Sequence, residues 1–313
     1  MTFRIKKYKD IIVDNPITTK MGVGGEFNLV LRDANGRYLY ETGWFPNLIT
    51  DFGLIQMYSL ASYDTYFHIG SSNQAPAVTD TSLVSWLADS SNPTPGYSEG
   101  NDGSPDYSWW SIASRRFAAG DGTGTIREVG LSNTSSNTNM VIRALVTPEI
   151  TKNVDQVLDV YYRFRIYPNL TDSTGQVDVE GELYNWTQRW ASIQTADTAL
   201  QNFRFSTGTS YLTYPTPIRT ITQVPDFPRD ITNEFPSNAY YDPHGCNGYV
   251  NLGLDQGNVY GDTVDGIKSS SMSLAFGGGI QTQYERVSDG KGLFKNNTQT
   301  MQLIYRLTWA RHV

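Results

Sequence analysis

Three imidazoles and one thiol are all that this 313-residue chain offers for nucleophilic or soft-metal chemistry: His68, His244, His312 and Cys246. The stretch "DPHGCNG" sets Asp242, His244 and Cys246 close together, and an acid, a base and a nucleophile are the parts of a triad. Residues two apart on one loop do not ordinarily form a Cys-His pair, however, and no cysteine-enzyme motif surrounds these. His68 sits inside the strand-like "YFHIG", where a packed or surface imidazole is expected, and His312 stands beside the end of the sequence. Structural zinc needs four converging ligands, more than this supply of His and Cys provides. "GDGTGT" lacks both the lysine and the following helix of a phosphate-binding loop. The 31 acidic residues show no motif that singles out a glycosidase pair. Two oxygen-rich stretches, "NDGSPD" (Asn101, Asp102, Ser104, Asp106) and "DQGNVYGDTVDG" (Asp255, Asn258, Asp262, Asp265), have calcium-ligand types without EF-hand spacing and read as turn chemistry. The expectation is a non-enzyme with no catalytic residue, cofactor or metal.

Aromatic residues make the better case for a binding role. Tyr107, Trp109 and Trp110 stand together after a polar stretch, and "NAYYDPHGCNGY" supplies Tyr240 and Tyr241. Such rings stack on sugars or fill subunit interfaces, where Trp and Tyr are enriched. Trp109 and Trp110 alternate, so one is expected in the core and the other at an interface. A net charge of −7 argues against nucleic acid, whose phosphates call for clustered Lys and Arg. The one basic cluster, Arg4, Lys6, Lys7 and Lys9, is a candidate docking arm beside its plainer reading as a solvated segment. "MTFRIKKYKD" has no apolar signal core, and no apolar run reaches membrane-spanning length, so a cytosolic product without membrane insertion is expected. A single cysteine excludes an internal disulfide.

The elements that must position these residues are strands. "KNVDQVLDVYYRFRI" (152–166) and "KNNTQTMQLIYRLTW" (295–309) repeat one pattern. Leu158, Val160, Tyr162, Phe164 and Ile166 alternate with Asp159, Tyr161, Arg163 and Arg165, and the second stretch alternates likewise, so each reads as a long strand with one face on a core. Earlier, Phe27, Leu29 and Leu31 alternate toward the Asn35-Gly36 turn signal, with Tyr38 and Tyr40 after it. Thr50 or Asp51 can cap a short helix over "DFGLIQMYSLA", which Gly53 weakens, and "TSLVSWLAD" is a second helical candidate. Ser90 to Asp106 reads as loop by composition, "VDVEGELYNWTQRWASI" as one half-buried strand, and Tyr214 to Gly248 as long proline-rich loops. The fold expected is mainly β: two antiparallel sandwich-like units, 1–170 with one or two short helices and 171–313 with long Pro/Tyr loops.

Four blocks in order, "WFPNLITDFGL", "FHIGSSNQAPAVTDTSL", "RRFAAGDGTGTIREVGL" and "VIRALVTPEITKNVDQVLDVYYRFRI", together with "GELYNWTQRW" and "LTWARHV", resemble tailed-bacteriophage virion proteins of the tail-fibre and baseplate-associated group. The four blocks cover roughly the first 170 residues; they are individually degenerate, and their succession is what is specific. The resemblance implies a structural component of the virion, assembled in the host cytoplasm, that partners itself as a ring or trimer and other tail or capsid proteins. The first half would attach to the particle. No heptads or shaft repeats are present, so a compact fibre base, collar or baseplate part is expected over an extended shaft. Alternatives are a capsid decoration or head-fibre protein and a module that recognises host surface polysaccharide.

Overall fold

The computed structural model describes residues 9–12, 17–57, 65–94, 99–101, 109–192, 205–213, 245–252, 269–274, 278–293 and 299–312. The chain is mainly β. In order it forms β1 (Lys9–Ile12), β2 (Ile17–Arg32), β3 (Tyr38–Glu41), β4 (Phe45–Pro46), β5 (Leu48–Ile49) and α1 (Asp51–Gln56), the one helix among the described residues. Then come β6 (Tyr66–Gly70), β7 (Trp86–Ser90), β8 (Glu99–Asn101), β9 (Trp109–Phe117), β10 (Gly124–Ser132), β11 (Ile142–Lys152) and β12 (Val157–Pro168). The remainder holds β13 (Ser173–Val179), β14 (Glu182–Ser192), β15 (Phe205–Thr213), β16 (Gly245–Leu252), β17 (Ser269–Leu274), β18 (Gly278–Arg286) and β19 (Gln299–Arg311).

Two compact units share these elements. The first contains Met21–Pro168 together with the chain end, Trp309–Val313; the second contains Asn169–Asp197 and Phe203–Thr308 together with Met1–Lys20.

The first unit is a sandwich. One sheet pairs β12 between β2 and β9, with β8 beyond β9 and with β3 and β4 on the other side of β2. The other runs β5-β11-β10-β6-β7. The alternation in β12 decides its placement: Leu158, Val160, Tyr162, Phe164 and Ile166 are all buried, and they oppose Leu31, Leu29, Phe27, Gly25 and Val23 of β2. Phe27 is the hub between the sheets. Its ring lies 4.9 Å from Tyr162 in its own sheet and meets Phe67 of the facing sheet edge-on at 6.4 Å. At Gly25 there is no room for a side chain, because the Tyr162 hydroxyl occupies the space.

Turns follow local chemistry. The Asp33 carboxylate accepts from the amides of Asn35 and Arg37 (2.9 Å each), and Gly36 takes φ +80°, which closes the β2-β3 hairpin. Residues 152–156 show why the strand at 157 is introduced by Lys-Asn. The buried Lys152 ammonium donates to the Ala118 carbonyl (2.9 Å), and the Asn153 amide donates to Gln156 Oε1 (2.7 Å).

The second unit has a sheet ordered β13-β14-β18-β17-β15, and β19 lies between β1, in parallel, and β16, antiparallel. Among the described residues, Tyr184, Trp190 and Tyr284 are its largest buried side chains.

Several expectations are corrected. "TSLVSWLAD" is not a helix: the amides of Val84 and Ser85 donate to the Glu128 carboxylate, and Trp86 begins β7 opposite Gly70. Glu99–Asn101, within the stretch read as loop, pair with residues 109–111. "VDVEGELYNWTQRWASI" is a hairpin and not one strand, because Glu180 and Gly181 take φ +57° and +85° and reverse the chain between β13 and β14. Gly245 to Gly248, expected in a loop, belong to β16. At α1, Gly53 does not merely weaken the helix: a side chain there would strike the Val141 carbonyl.

Candidate interaction surface

The described residues of the first unit hold two buried charge clusters and two exposed surfaces. The larger cluster forms on the outer face of the β5-β11-β10-β6-β7 sheet. There Glu128, Gly130 and Ser132 alternate with the inward Val129 and Leu131, after a register shift between Ile126 and Glu128. Arg143, wholly buried, donates to Glu128 Oε2 (2.9 and 3.2 Å), to Asp80 Oδ2 (2.5 Å) and to the carbonyl of Gln74 (2.8 Å). Glu128, also wholly buried, takes the amides of Ser85 (2.7 Å), Val84 (3.1 Å) and Ser72 (3.4 Å). The loop 71–85 is thereby tied to the sheet by one carboxylate and one guanidinium. Close approach demands glycine: a Cβ on Gly70 would come within 2.5 Å of Glu128 Oε1.

In the second cluster, Asp159 accepts from Arg116 (2.7 and 2.9 Å) and Arg32 (2.8 Å), joining three neighbouring strands. Hydrogen bonds to this carboxylate raise both guanidinium pKa values above the ordinary range. The first cluster ties a loop to its sheet, and the second ties three strands together.

The first exposed surface is β3. Tyr38, Leu39 and Tyr40 are 56%, 40% and 40% exposed, Glu41 is exposed too, and among the described residues β3 pairs only with β2. The second is the outer row of β2 and β12. The Arg163 guanidinium lies 4.4 Å over the Trp44 ring and donates to Glu26 (2.5 Å), while Arg165 pairs with the same carboxylate at 3.3 Å. Tyr161 and Tyr167 stand in the same row, half-buried, and Tyr167 stacks on His312 with ring centres 3.6 Å apart.

Trp109 and Trp110 fall on β9, opposite Ile166 and Arg165 of this same sheet, so Trp110 shares the register of the Arg163-Arg165 row. Lys9 is in β1, opposite Gln299. Tyr107, Tyr240, Tyr241, Arg4, Lys6 and Lys7 lie outside the described residues, as do His244 and all the acidic calcium candidates; Asn101 ends β8. Cys246 is on a strand opposite Leu307, not on a loop. His68 is wholly buried. Its Nε2–H donates to the Thr134 carbonyl (3.1 Å), with Ser132 Oγ at 2.9 Å, while Nδ1 has no partner. Burial lowers its pKa. The described residues contain no group of three His, Cys, Asp or Glu side chains placed to hold a metal.

Trp44, Glu26 and Asp80 were not singled out by sequence. The signal for Trp44 would have been an aromatic residue just past the β3 hairpin, set to meet an arginine of the off-core row; for Glu26 it was the register of two strands far apart in the chain. Comparison with protein-family models, with characterised proteins and with solved structures found no match.

Proposed function

We propose that this chain is a non-enzymatic structural component of a tailed-bacteriophage virion, set in the tail at a fibre base, collar or baseplate and assembled as a symmetric oligomer. The observation that carries the reading is the open β3 edge, whose Tyr38, Leu39 and Tyr40 are exposed. An edge strand of this kind is a template for pairing, and proteins that remain single blunt it with charge or proline. The buried Glu128, Arg143 and Asp159 serve to hold strands and loops in place. Gly70, Asp80, Glu128 and Arg143 also lie in the sequence blocks that carry the phage resemblance, so the resemblance falls on residues that maintain a fold.

Light scattering on the purified protein and antibody labelling of intact particles test this. A closed oligomer and label on the tail are expected. Label on the head would move the protein to a decoration or head-fibre role, and a monomer at high concentration with no label on the particle would sink the proposal.

A second reading, recognition of a host glycan, is favoured by Trp44, Tyr161 and Tyr167 in one row with two arginines. It predicts glycan-array binding that is lost in Trp44→Ala or Trp110→Ala and kept in Trp86→Ala, an exposed tryptophan on the other sheet.

A further inference from the structure

From Arg37 to Glu41 the chain reads "RYLYE": a cation and an anion at the two ends, a tyrosine inside each, and a leucine at the centre. Both charges are held in place by their own chain. Asp33 Oδ2 accepts from Arg37 Nε (3.1 Å), and the arginine side chain is still 80% exposed. Glu41 Oε1 accepts from Asn28 Nδ2 (2.5 Å), and all four residues of β3 are exposed. The pairing with β2 is also incomplete. Tyr38 stands opposite Arg32 and Tyr40 opposite Leu31, so a bulge leaves Leu39 with no residue opposite it on β2.

This pattern is complementary to itself. In an antiparallel pair the numbers of opposed residues have a constant sum, so a two-fold axis through Leu39 sets Leu39 against Leu39 of the second copy. Tyr38 then meets Tyr40 and Arg37 meets Glu41, and each of these couples occurs twice. Aromatic against aromatic and cation against anion are the cross-strand couples that stabilise a sheet. One residue of slip sets the two charges against Tyr40 and Gly36, or against Thr42 and Tyr38. Parallel pairing in register sets like charges together.

We propose that β3 of a second copy covers this edge, antiparallel about a two-fold axis at Leu39. The sheet that carries β2 and β12 then runs on from one copy into the next. The inference rests on the reading of the chain as a symmetric oligomer and adds the symmetry. The contact is isologous, so the assembly holds an even number of copies; a dimer or a dihedral assembly contains such an axis, and a trimer does not.

The test is a charge exchange in the full chain, read by sedimentation. Arg37→Glu puts two acids in the strand and Glu41→Arg puts two bases there. Each variant alone sets like charges together at both ends of the contact, and is expected to weaken association about tenfold or more. An equimolar mixture of the two restores opposite charges at both ends, and is expected to associate as the unaltered chain does. If the unaltered chain is an oligomer and both variants keep its size, the β3 pairing is overturned and the oligomer stands on another surface. If both variants become smaller and their mixture stays small, another segment or another protein covers β3 and the two-fold register is overturned. A monomeric unaltered chain overturns the inference and the oligomer together.

Circular dichroism checks that the variants fold, and Leu39→Cys in a Cys246→Ser chain gives a second measurement. Facing Cα atoms in antiparallel strands lie about 4.5–5.5 Å apart, within disulfide reach, so mild oxidation is expected to join two copies through position 39. Joining no faster than through Val84→Cys, a residue 51% exposed on the loop tied to the other sheet, overturns the pairing.

Discussion

A carboxylate and a guanidinium without solvent are stable only while each has the other. Removing one partner of a buried pair costs about 3–5 kcal/mol, because the survivor stays desolvated and unpaired. Glu128→Ala leaves the buried Arg143 with Asp80 as its one carboxylate among the described residues and frees three loop amides at once. It is expected to lower the midpoint of chemical denaturation by an amount in that range, whereas Glu149→Ala, an exposed partner of Arg127, changes it by less than about 1 kcal/mol. His68 makes a prediction in pH. Its folded pKa is depressed by burial, which outweighs the hydrogen bond to the Thr134 carbonyl and the charge of Asp89 opposite on β7, both of which favour the charged form. The unfolded chain therefore takes up the proton first, and the stability present above pH about 6.5 is lost as pH falls toward the folded pKa. Urea titrations at pH 8 and pH 5 should show that loss, and His68→Gln, which keeps the Nε2 donor, should reduce it. Little of this was legible beforehand. "TIREVGL" gives no sign that its glutamate is buried, since its partners, the Arg143 guanidinium and the amides of Ser72, Val84 and Ser85, are separated from it in sequence and meet it only in the folded unit.

At the scale of elements, alternation was the dependable guide: the rows at 158–166 and 27–31 both form strands whose apolar sides face the core. Failures came where backbone groups found partners that no periodicity records. The amides that a helix over 81–89 would have used go to the Glu128 carboxylate, and Glu180-Gly181 turns the chain in a dipeptide outside the usual Asn-Gly signal. The aromatic residues were noticed in sequence, but Tyr38 and Tyr40 were read only as parts of a hairpin and not as an exposed edge. That edge gives a direct expectation. Leu39→Lys puts a charge on the exposed β3 strand, where surface substitutions change stability by about 0.5 kcal/mol or less. Under the proposed assembly it should shift sedimentation toward smaller species while the melting temperature stays nearly constant; unchanged sedimentation would remove β3 from the proposed interface.

For the whole molecule, the described buried aromatics fall into two groups, Phe27, Phe67 and Tyr162 in the first unit and Tyr184, Trp190 and Tyr284 in the second. Calorimetry is therefore expected to resolve two transitions, and Glu128→Ala should lower only one of them. The chain order carries a last consequence. Folding during synthesis runs from the N-terminus, yet the indole that caps α1 is residue 309 of 313. The first unit to leave the ribosome thus waits for residues 309–312 before it can be finished. A ribosome that stalls before residue 309 leaves a first unit in which the carbonyls of Leu54, Ile49 and Val23 lack these donors.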